Sequence, residues 1–417
     1  MQLNSKRVVL QPTYVKDFIC QGSICTDNCC EGKWNIDVDE SHFNKLRNLQ
    51  DKELKEIFHK YMKRNKEAKS RESYARLEQD DEKQRCILLT EDKLCSLQIK
   101  LGAEYLCNVC MVHPRERSLV DGMHELSLTM ACPLAAELAL LNPEPMQFEY
   151  MEEDSEIKKI YTQAEFKTHI KKYQNKLQEY FGDIRAFFIA LLQDRSYTLD
   201  ERMILMGITY KELEKLENNK QIYKIYDILD KMQNLIISRQ MKGGLDKIPV
   251  NSQMQLRLAK ELTDERVFSG IISPRYHECL REALIGIGYI EGDLMENVIA
   301  KYEKSYREYL KPYLDEKEFI LENYLVNEYF KQLMPFGIYN SIWDSYISIC
   351  LLYSIIKLHL VGVAGYHKGM TDDLCIMVIQ CISKLILHCR EFMLDMIKLI
   401  KDNNYSSLAY MSILVKN

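Results

Sequence analysis

The chain has 417 residues, 47% of them hydrophobic and 28% charged, with a formal net charge of -5. That length buries a large core and predicts two domains or more. The acidic balance and the lack of a long basic stripe exclude non-specific nucleic-acid binding. No run of about eighteen apolar residues, the length a membrane span needs, is present. The longest apolar stretch, Ile347 to Val363, is broken by Lys357 and His359, which predicts a buried helix.

The first dozen residues, Met1 to Pro12, show no apolar core and no small-residue cleavage site, so they do not read as a secretory signal. A cytoplasmic protein is expected, in a compartment where thiols stay reduced.

From Tyr14 to Trp34 the chain has little periodicity and many cysteines, which predicts a loop wrapped on a metal. Nine of the fourteen cysteines lie between residues 20 and 132. They are Cys20, Cys25, Cys29, Cys30, Cys86, Cys95, Cys107, Cys110 and Cys132. Disulfides fit poorly: the count is odd, and the adjacent Cys29 and Cys30 would bridge only with strain. A dense set of thiolates then needs a metal. Only Cys107 and Cys110 offer the two-residue spacing of a zinc knuckle, and the ferredoxin spacing is absent. Spacing alone does not choose the metal. For any single one of Cys86, Cys95 and Cys107, a small buried hydrophobe is the competing reading.

The segment Glu40 to Lys69 predicts a helix, with Phe43, Leu46, Leu49, Leu54, Ile57 and Tyr61 at helical spacing. Arg71 to Arg85 is highly charged and expected to be exposed. Arg117 to Leu128 predicts a hairpin, because Asp121-Gly122 suits a type I′ turn. Cys132 is expected at the N-cap of a helix with Pro133 in its first turn, where the helix dipole lowers a thiol pKa. Asn142 to Pro145 ends that helix. The acidic run Glu149 to Glu156 marks an expected boundary between a cysteine-rich domain, 1–145, and an all-α domain, 146–417. The fold class expected is mainly α: a cysteine-rich N-terminal region with a small β-hairpin, followed by roughly eight to ten helices at 3.6-residue periodicity. No parallel sheet is expected after residue 150. Gly286, Gly288 and Gly292 follow a helical pattern, not a strand, so they predict close helix packing and no Rossmann nucleotide cradle.

Several of these motifs together resemble the flagellin lysine N-methylase family. The likeness starts with Tyr14 through Cys20, Gly22 through Cys25 and Asn28 through Trp34. It continues through Cys86, Lys93-Leu94-Cys95, Leu101-Gly102 and Tyr105 through Arg115. It closes with Leu126 through Leu138, which holds Cys132-Pro133. A weaker echo lies at Leu191 through Arg195, with Glu201-Arg202. The resemblance implies a protein-lysine N-methyltransferase that uses S-adenosylmethionine and acts on flagellin; charge and hydropathy predict no nucleic acid and no membrane as partner. It implies a cysteine-held centre, a [4Fe–4S] cluster or alternatively zinc, on Cys20, Cys25, Cys29, Cys30, Cys86, Cys95, Cys110 and Cys132. Cys107 stands outside those eight, and Met111-Val112-His113 precedes Pro114 where the family has an aromatic. Arg115, Asp194 and Arg195 fall in the family-like motifs and are candidates for cofactor binding. The competing role for Asp194 and Arg195 is an ion pair pinning helices.

Methylation needs a neutral lysine amine, whose ordinary pKa is about 10.4. A carboxylate near the cysteines would help remove the proton. Glu31 and Asp37 flank the first motif, although solvated loop charges are the commoner explanation. Two non-enzymatic classes compete: a structural-zinc protein whose helices dock a partner, and a redox sensor built on Cys29 and Cys30.

Overall fold

A computed structural model describes residues 6–32, 36–68, 70–80, 85–154, 162–257, 274–289, 294–339, 341–387 and 390–417. Trp34 of the first motif and Gly292 lie outside the described residues.

The protein is mainly helical, as its sequence indicates. The predicted hairpin forms, with strands β7 (Arg115–Val120) and β8 (Met123–Leu128) paired from Arg115↔Leu128 to Val120↔Met123. Both turn residues take the positive φ that a type I′ turn demands, 47° at Asp121 and 86° at Gly122. Three more strands extend this hairpin: β1 (Lys6–Pro12), β9 (Phe148–Asp154) and β10 (Ala164–Phe166). The strand order is β10-β7-β8-β1-β9.

Two expectations need correction here. β10 lies beyond residue 150 and pairs in parallel with β7, through Ala164↔Ser118 and Phe166↔Val120. β9 falls beyond the expected boundary at 145/146 yet runs antiparallel along the whole of β1. A sheet needs partners for its edges, and these strands supply them across the predicted boundary. Twelve α-helices follow residue 146 among the described residues.

The apolar cores divide the chain differently. The main core runs from Val9 to Val415 and includes the five-stranded sheet and the Pro133–Leu140 helix. A second, smaller core gathers residues from Ile36 to Cys107 only. This small lobe is therefore an insertion into the N-terminal part of the body. Within it the predicted Glu40 to Lys69 helix is broken. One helix spans Glu40–Arg47 and another Lys52–Tyr61, the latter started by the Asp51 side chain, which accepts from the Leu54 amide at 2.9 Å. The charged run after Arg71 is not all exposed. Its β4 (Ala75–Leu77) is the central strand between β2 (Ile36–Val38) and β3 (Met62–Arg64), with Ala75 and Leu77 buried. Alternation put these two apolar side chains inward and left Arg76 outward.

The body is organised around Ile342–His367, in which every residue from Ile342 through Gly365 is buried. This is the apolar stretch noted in the sequence, and protein covers it on all sides. Its charge is answered internally: Lys357 meets Asp200 at 2.9 Å and the Val415 carbonyl at 2.7 Å. Gly286 and Gly362 serve close helix packing. A Cβ on Gly286 would strike the Gly362 carbonyl, and one on Gly362 the Ala283 carbonyl. The helices Pro274–Gly286 and Ile342–His367 thus touch backbone to backbone.

His359 in that helix gives the body an acid-labile point. Its Nδ1–H donates to the Ile355 carbonyl at 2.8 Å, and its Nε2 accepts from the Tyr276 hydroxyl at 3.1 Å. Burial pushes its pKa down to about 4. The folded value lies below the unfolded one, so the unfolded state binds the extra proton. Stability is full above pH 6.5 and falls as pH drops from there toward 4, by about 3 kcal/mol for this group alone. Urea unfolding from pH 7 to pH 4 should show that loss, and His359→Gln should reduce it. An unchanged pH slope in the variant would remove His359 as its source.

Candidate functional site

The cysteine loop is pinned between the lobe and the body. On the lobe side, the Asn28 side chain accepts from the Cys30 amide at 2.9 Å and donates to the Lys93 carbonyl at 3.1 Å. The Cys86 amide donates to the Cys30 carbonyl at 2.8 Å, and a bridge joins Leu89 to Cys95. On the body side, the Asp27 carboxylate takes the Lys384 ammonium at 2.7 Å and the Gln380 amide at 2.6 Å. The same Gln380 nitrogen reaches the Ala131 carbonyl at 2.8 Å. Lys384 and Asp27 are both nearly inaccessible. One helix, Asp372–Leu387, therefore clamps the loop beside Cys132.

Cys132 is the N-cap residue of Pro133–Leu140, with proline in the first turn, as predicted. Its thiol pKa is nevertheless pushed up to about 11, because burial outweighs the amides of the helix start. Cys20 and Cys25 are its thiol neighbours. Burial likewise raises the pKa of Cys25 and of Cys95. Five further thiols are bonded to one another, Cys29 to Cys30 to Cys86 and Cys107 to Cys110. A hydrogen bond from Cys30 holds Cys29 down at about 7, helped by the Lys384 ammonium, and raises Cys30 itself. Cys30 also bonds Cys86 and lowers it. Cys107 is lowered by a hydrogen bond from Cys110, whose own pKa goes up. Cys107, outside the eight on the sequence, thus sits among them. Cys132 and Cys110 keep different thiol company: Cys20 and Cys25 for the first, Cys107, Cys86 and Cys29 for the second.

Among the described residues no trio of His, Cys, Asp or Glu side chains stands in a ready-made metal arrangement. The donor set itself is all sulfur, the chemistry that selects zinc or iron–sulfur centres. Cys29 and Cys110 keep solvent-exposed surface. On donor chemistry the residues suit a thiolate-bound centre, although the described side chains are not gathered into one.

Arg115 stacks its guanidinium over the Phe18 ring at 5.1 Å, within electrostatic reach of Cys20 and Cys132. Of the three candidates for cofactor binding it alone is at the cysteines. Arg195 spends its donors inside the protein, on Glu322 at 2.9–3.2 Å and on the Pro143 carbonyl at 2.7 Å. Asp194 accepts from the Ser196 amide and hydroxyl in a local turn. The helix-pinning pair is therefore Arg195 with Glu322, not with Asp194. Glu31 pairs with Lys93 at 3.2 Å and Asp37 with Arg76 at 3.5 Å, both at the lobe surface. Burial, ahead of the Lys384 charge, lowers the His113 pKa to about 4, so this side chain is neutral at neutral pH.

Sequence reasoning missed Asp27, Gln380 and Lys384. No local signal marks them, since the contact joins residues more than 350 positions apart.

Comparison with known proteins adds the chemistry. Residues 185–414 match the family model described as the FliB lysine N-methylase C-terminal domain. The chain is similar to lysine-N-methylases of Salmonella typhimurium (strain LT2) and Salmonella choleraesuis, 22% identical over 336 residues, covering 78% of this chain and 79% of each relative. It is also similar to the flagellar biosynthetic protein FliU of Salmonella muenchen, 30% identical over 138 residues, covering 33% of this chain and 80% of that protein. No solved structure matches. The family match spans more than half of the chain and places it among methyl-transferring enzymes. The chain belongs to the FliB lysine N-methylase family and is a protein-lysine N-methyltransferase. The two non-enzymatic readings fall with that result.

Proposed function

We propose that this enzyme transfers methyl groups from S-adenosylmethionine to lysines of flagellin, in the cytoplasm before export, and that a thiolate-held metal centre, a [4Fe–4S] cluster ahead of zinc, maintains the site. The observation that carries the reading is the clamp. A helix inside the family-matched region, Asp372–Leu387, grips the cysteine loop through Asp27, so thiols and helices act as one site. The name of the similar FliU protein, flagellar biosynthetic, supports a flagellar substrate.

S-adenosylmethionine supplies an electrophilic methyl on sulfonium, and the target lysine must meet it as a neutral amine. The chain's own residues favour that form. The Arg115 guanidinium puts positive charge beside Cys20 and Cys132, which disfavours an ammonium there. The clamp fixes the loop, so the reacting groups meet in one geometry. The Cys20, Cys25, Cys29, Cys30, Cys86, Cys95, Cys110 and Cys132 thiolates would hold the centre, which supplies a rigid, strongly bound scaffold when present.

The test uses anaerobically purified protein, flagellin and isotopically labelled S-adenosylmethionine, with lysine peptides read by mass spectrometry. Label on flagellin lysines, and little on an unrelated lysine-rich protein, is the expected result. Equal labelling of both would reject flagellin as the substrate. Labelling of neither, with metal in place, would reject the donor or the substrate class.

A further inference from the structure

The surface around the cysteine loop is apolar. Ile19 is 80% exposed and Ile24 78%, and each stands beside a loop cysteine, Cys20 and Cys25. Leu94, Val109 and Met111 are exposed too, and each again adjoins a cysteine, Cys95 or Cys110. These side chains are neighbours in space as well as in pattern. Gly22, between the two isoleucines, lies against the Leu94 side chain: a Cβ there would come within 3.7 Å of it. The Asn28 side chain ties the loop to the Lys93 carbonyl at 3.1 Å, one residue before Leu94. Cys110, flanked by Val109 and Met111 on the Asn108–Val112 helix, is within electrostatic reach of Cys29.

A single exposed apolar side chain needs no explanation, but a group of them around one feature marks a binding surface. We infer that Ile19, Ile24, Leu94, Val109 and Met111 form the docking rim for the protein substrate, and that the rim takes a segment whose target lysine stands between apolar side chains. The inference rests on reading the cysteine loop as the methyl-transfer site. The occupant follows from the activity, since a protein-lysine methyltransferase must hold a polypeptide where it transfers the methyl group. Charge supplies no competing attraction. Lys384 is spent on Asp27 and Lys93 on Glu31, and the exposed Arg115 and Asp17 carry opposite signs. A segment crowded with lysines meets no acidic field there, so apolar contact is left to do the docking.

Such a rim serves the reaction in two ways. Apolar neighbours of the lysine, buried on it, hold the backbone so that a long, flexible side chain presents its amine in one place. The stem of the lysine adds apolar contact of its own. Water driven from the rim leaves the ammonium poorly solvated, which favours the neutral amine that the transfer needs. Contacts of this kind hold the substrate equally before and during the chemical step, so their loss is read in KM and not in kcat.

The experiment compares methylation kinetics of the full-length chain, purified without oxygen, as wild type, as the double variant Ile19→Ser with Ile24→Ser, and as Ile237→Ser, an exposed control on the body helix Ile225–Ile237. The probes are flagellin and two synthetic peptides with a single lysine, one flanked by leucine and valine, the other by serine and asparagine. The double variant is expected to raise KM for flagellin and for the leucine-flanked peptide by roughly tenfold or more at unchanged kcat, and the control to leave both constants alone. Wild type should favour the leucine-flanked peptide by a similar factor, and the double variant should lose that preference. An unchanged KM in the double variant, or equal kcat/KM for the two peptides in wild type, overturns the inference. So does a wild-type dimer, seen by light scattering, that the double variant breaks up at unchanged KM, because the rim then belongs to a second copy of the chain. If neither peptide is methylated, KM for flagellin decides. Cys29→Ser, run alongside, separates the two failures: full activity there rejects the loop as the site, whereas lost activity there with an unchanged KM in the double variant rejects the rim alone.

Discussion

Serine in place of Cys29 is expected to remove methyl transfer almost completely and to release metal from the cysteine loop. Cys29 is the most connected of the thiols: it bonds Cys30, it is a thiol neighbour of both Cys25 and Cys110, and it faces Lys384. Serine keeps the size but is a poor ligand for a soft metal. Ligand binding and folding are coupled in thiolate sites, so the loss extends to stability, by several kcal/mol. The drop in activity should exceed the roughly 10- to 100-fold that follows loss of an outer-shell partner. Iron, sulfide and zinc per chain, with the rate of lysine methylation, check the result together. Full metal content with full activity in Cys29→Ser would remove this residue from the site.

The second large effect belongs to the body. Arg202 is fully buried and donates to Glu322 at 2.7 Å, to Glu318 at 2.6 Å and to the Leu192 carbonyl. Glu322 is equally buried. Arg202→Leu leaves that carboxylate with Arg195 alone and should cost about 3–5 kcal/mol, because breaking a buried pair strands a charge. Replacing the partner as well, in Arg202→Leu with Glu322→Leu, should recover part of the loss, since the fully buried carboxylate is then gone and only the more exposed Glu318 and Arg195 lose a mate. Guanidinium unfolding midpoints of the two single variants and the double variant measure this. A double variant as unstable as the sum of both single losses would show that the ion pair is not the reason. The network joins the Leu199–Asn218 helix to Phe319–Lys331, both within the family-matched region, so catalysis should fall only as the folded fraction falls.

These two sites differ in how far the sequence revealed them. The cysteines announce themselves by density and order, and Asp121-Gly122 and Cys132-Pro133 specify their turn and helix start through chemistry confined to a few neighbours. Long-range partners carry no such mark. Arg202 looks like any charge on a helix until Glu322 is brought to it, and Asp27 looks like loop polarity until Lys384 arrives. Local patterns also misled where tertiary pairing overrides them. Ala164–Phe166 is too short to show alternation, yet it completes a sheet edge beside β7. Charge along Arg71 to Arg85 hid the two inward side chains of β4, because one face of a three-residue strand needs only two apolar residues. The inserted lobe was invisible for a related reason: chain continuity suggests one N-terminal domain, whereas core membership is decided by packing. Cys107 was set aside on family pattern, and its contact with Cys110 returned it to the group.

The most direct test of the account is the rate of flagellin lysine methylation by one preparation of the full-length chain, measured before metal removal, after anaerobic chelation and after reconstitution, with metal per chain counted at each stage. The account predicts that activity falls in step with the metal lost from the thiolate site and returns when metal is restored. Methylation at the full rate from a chain shown to hold no metal would contradict it, leaving a lysine methyltransferase whose cysteines do something else.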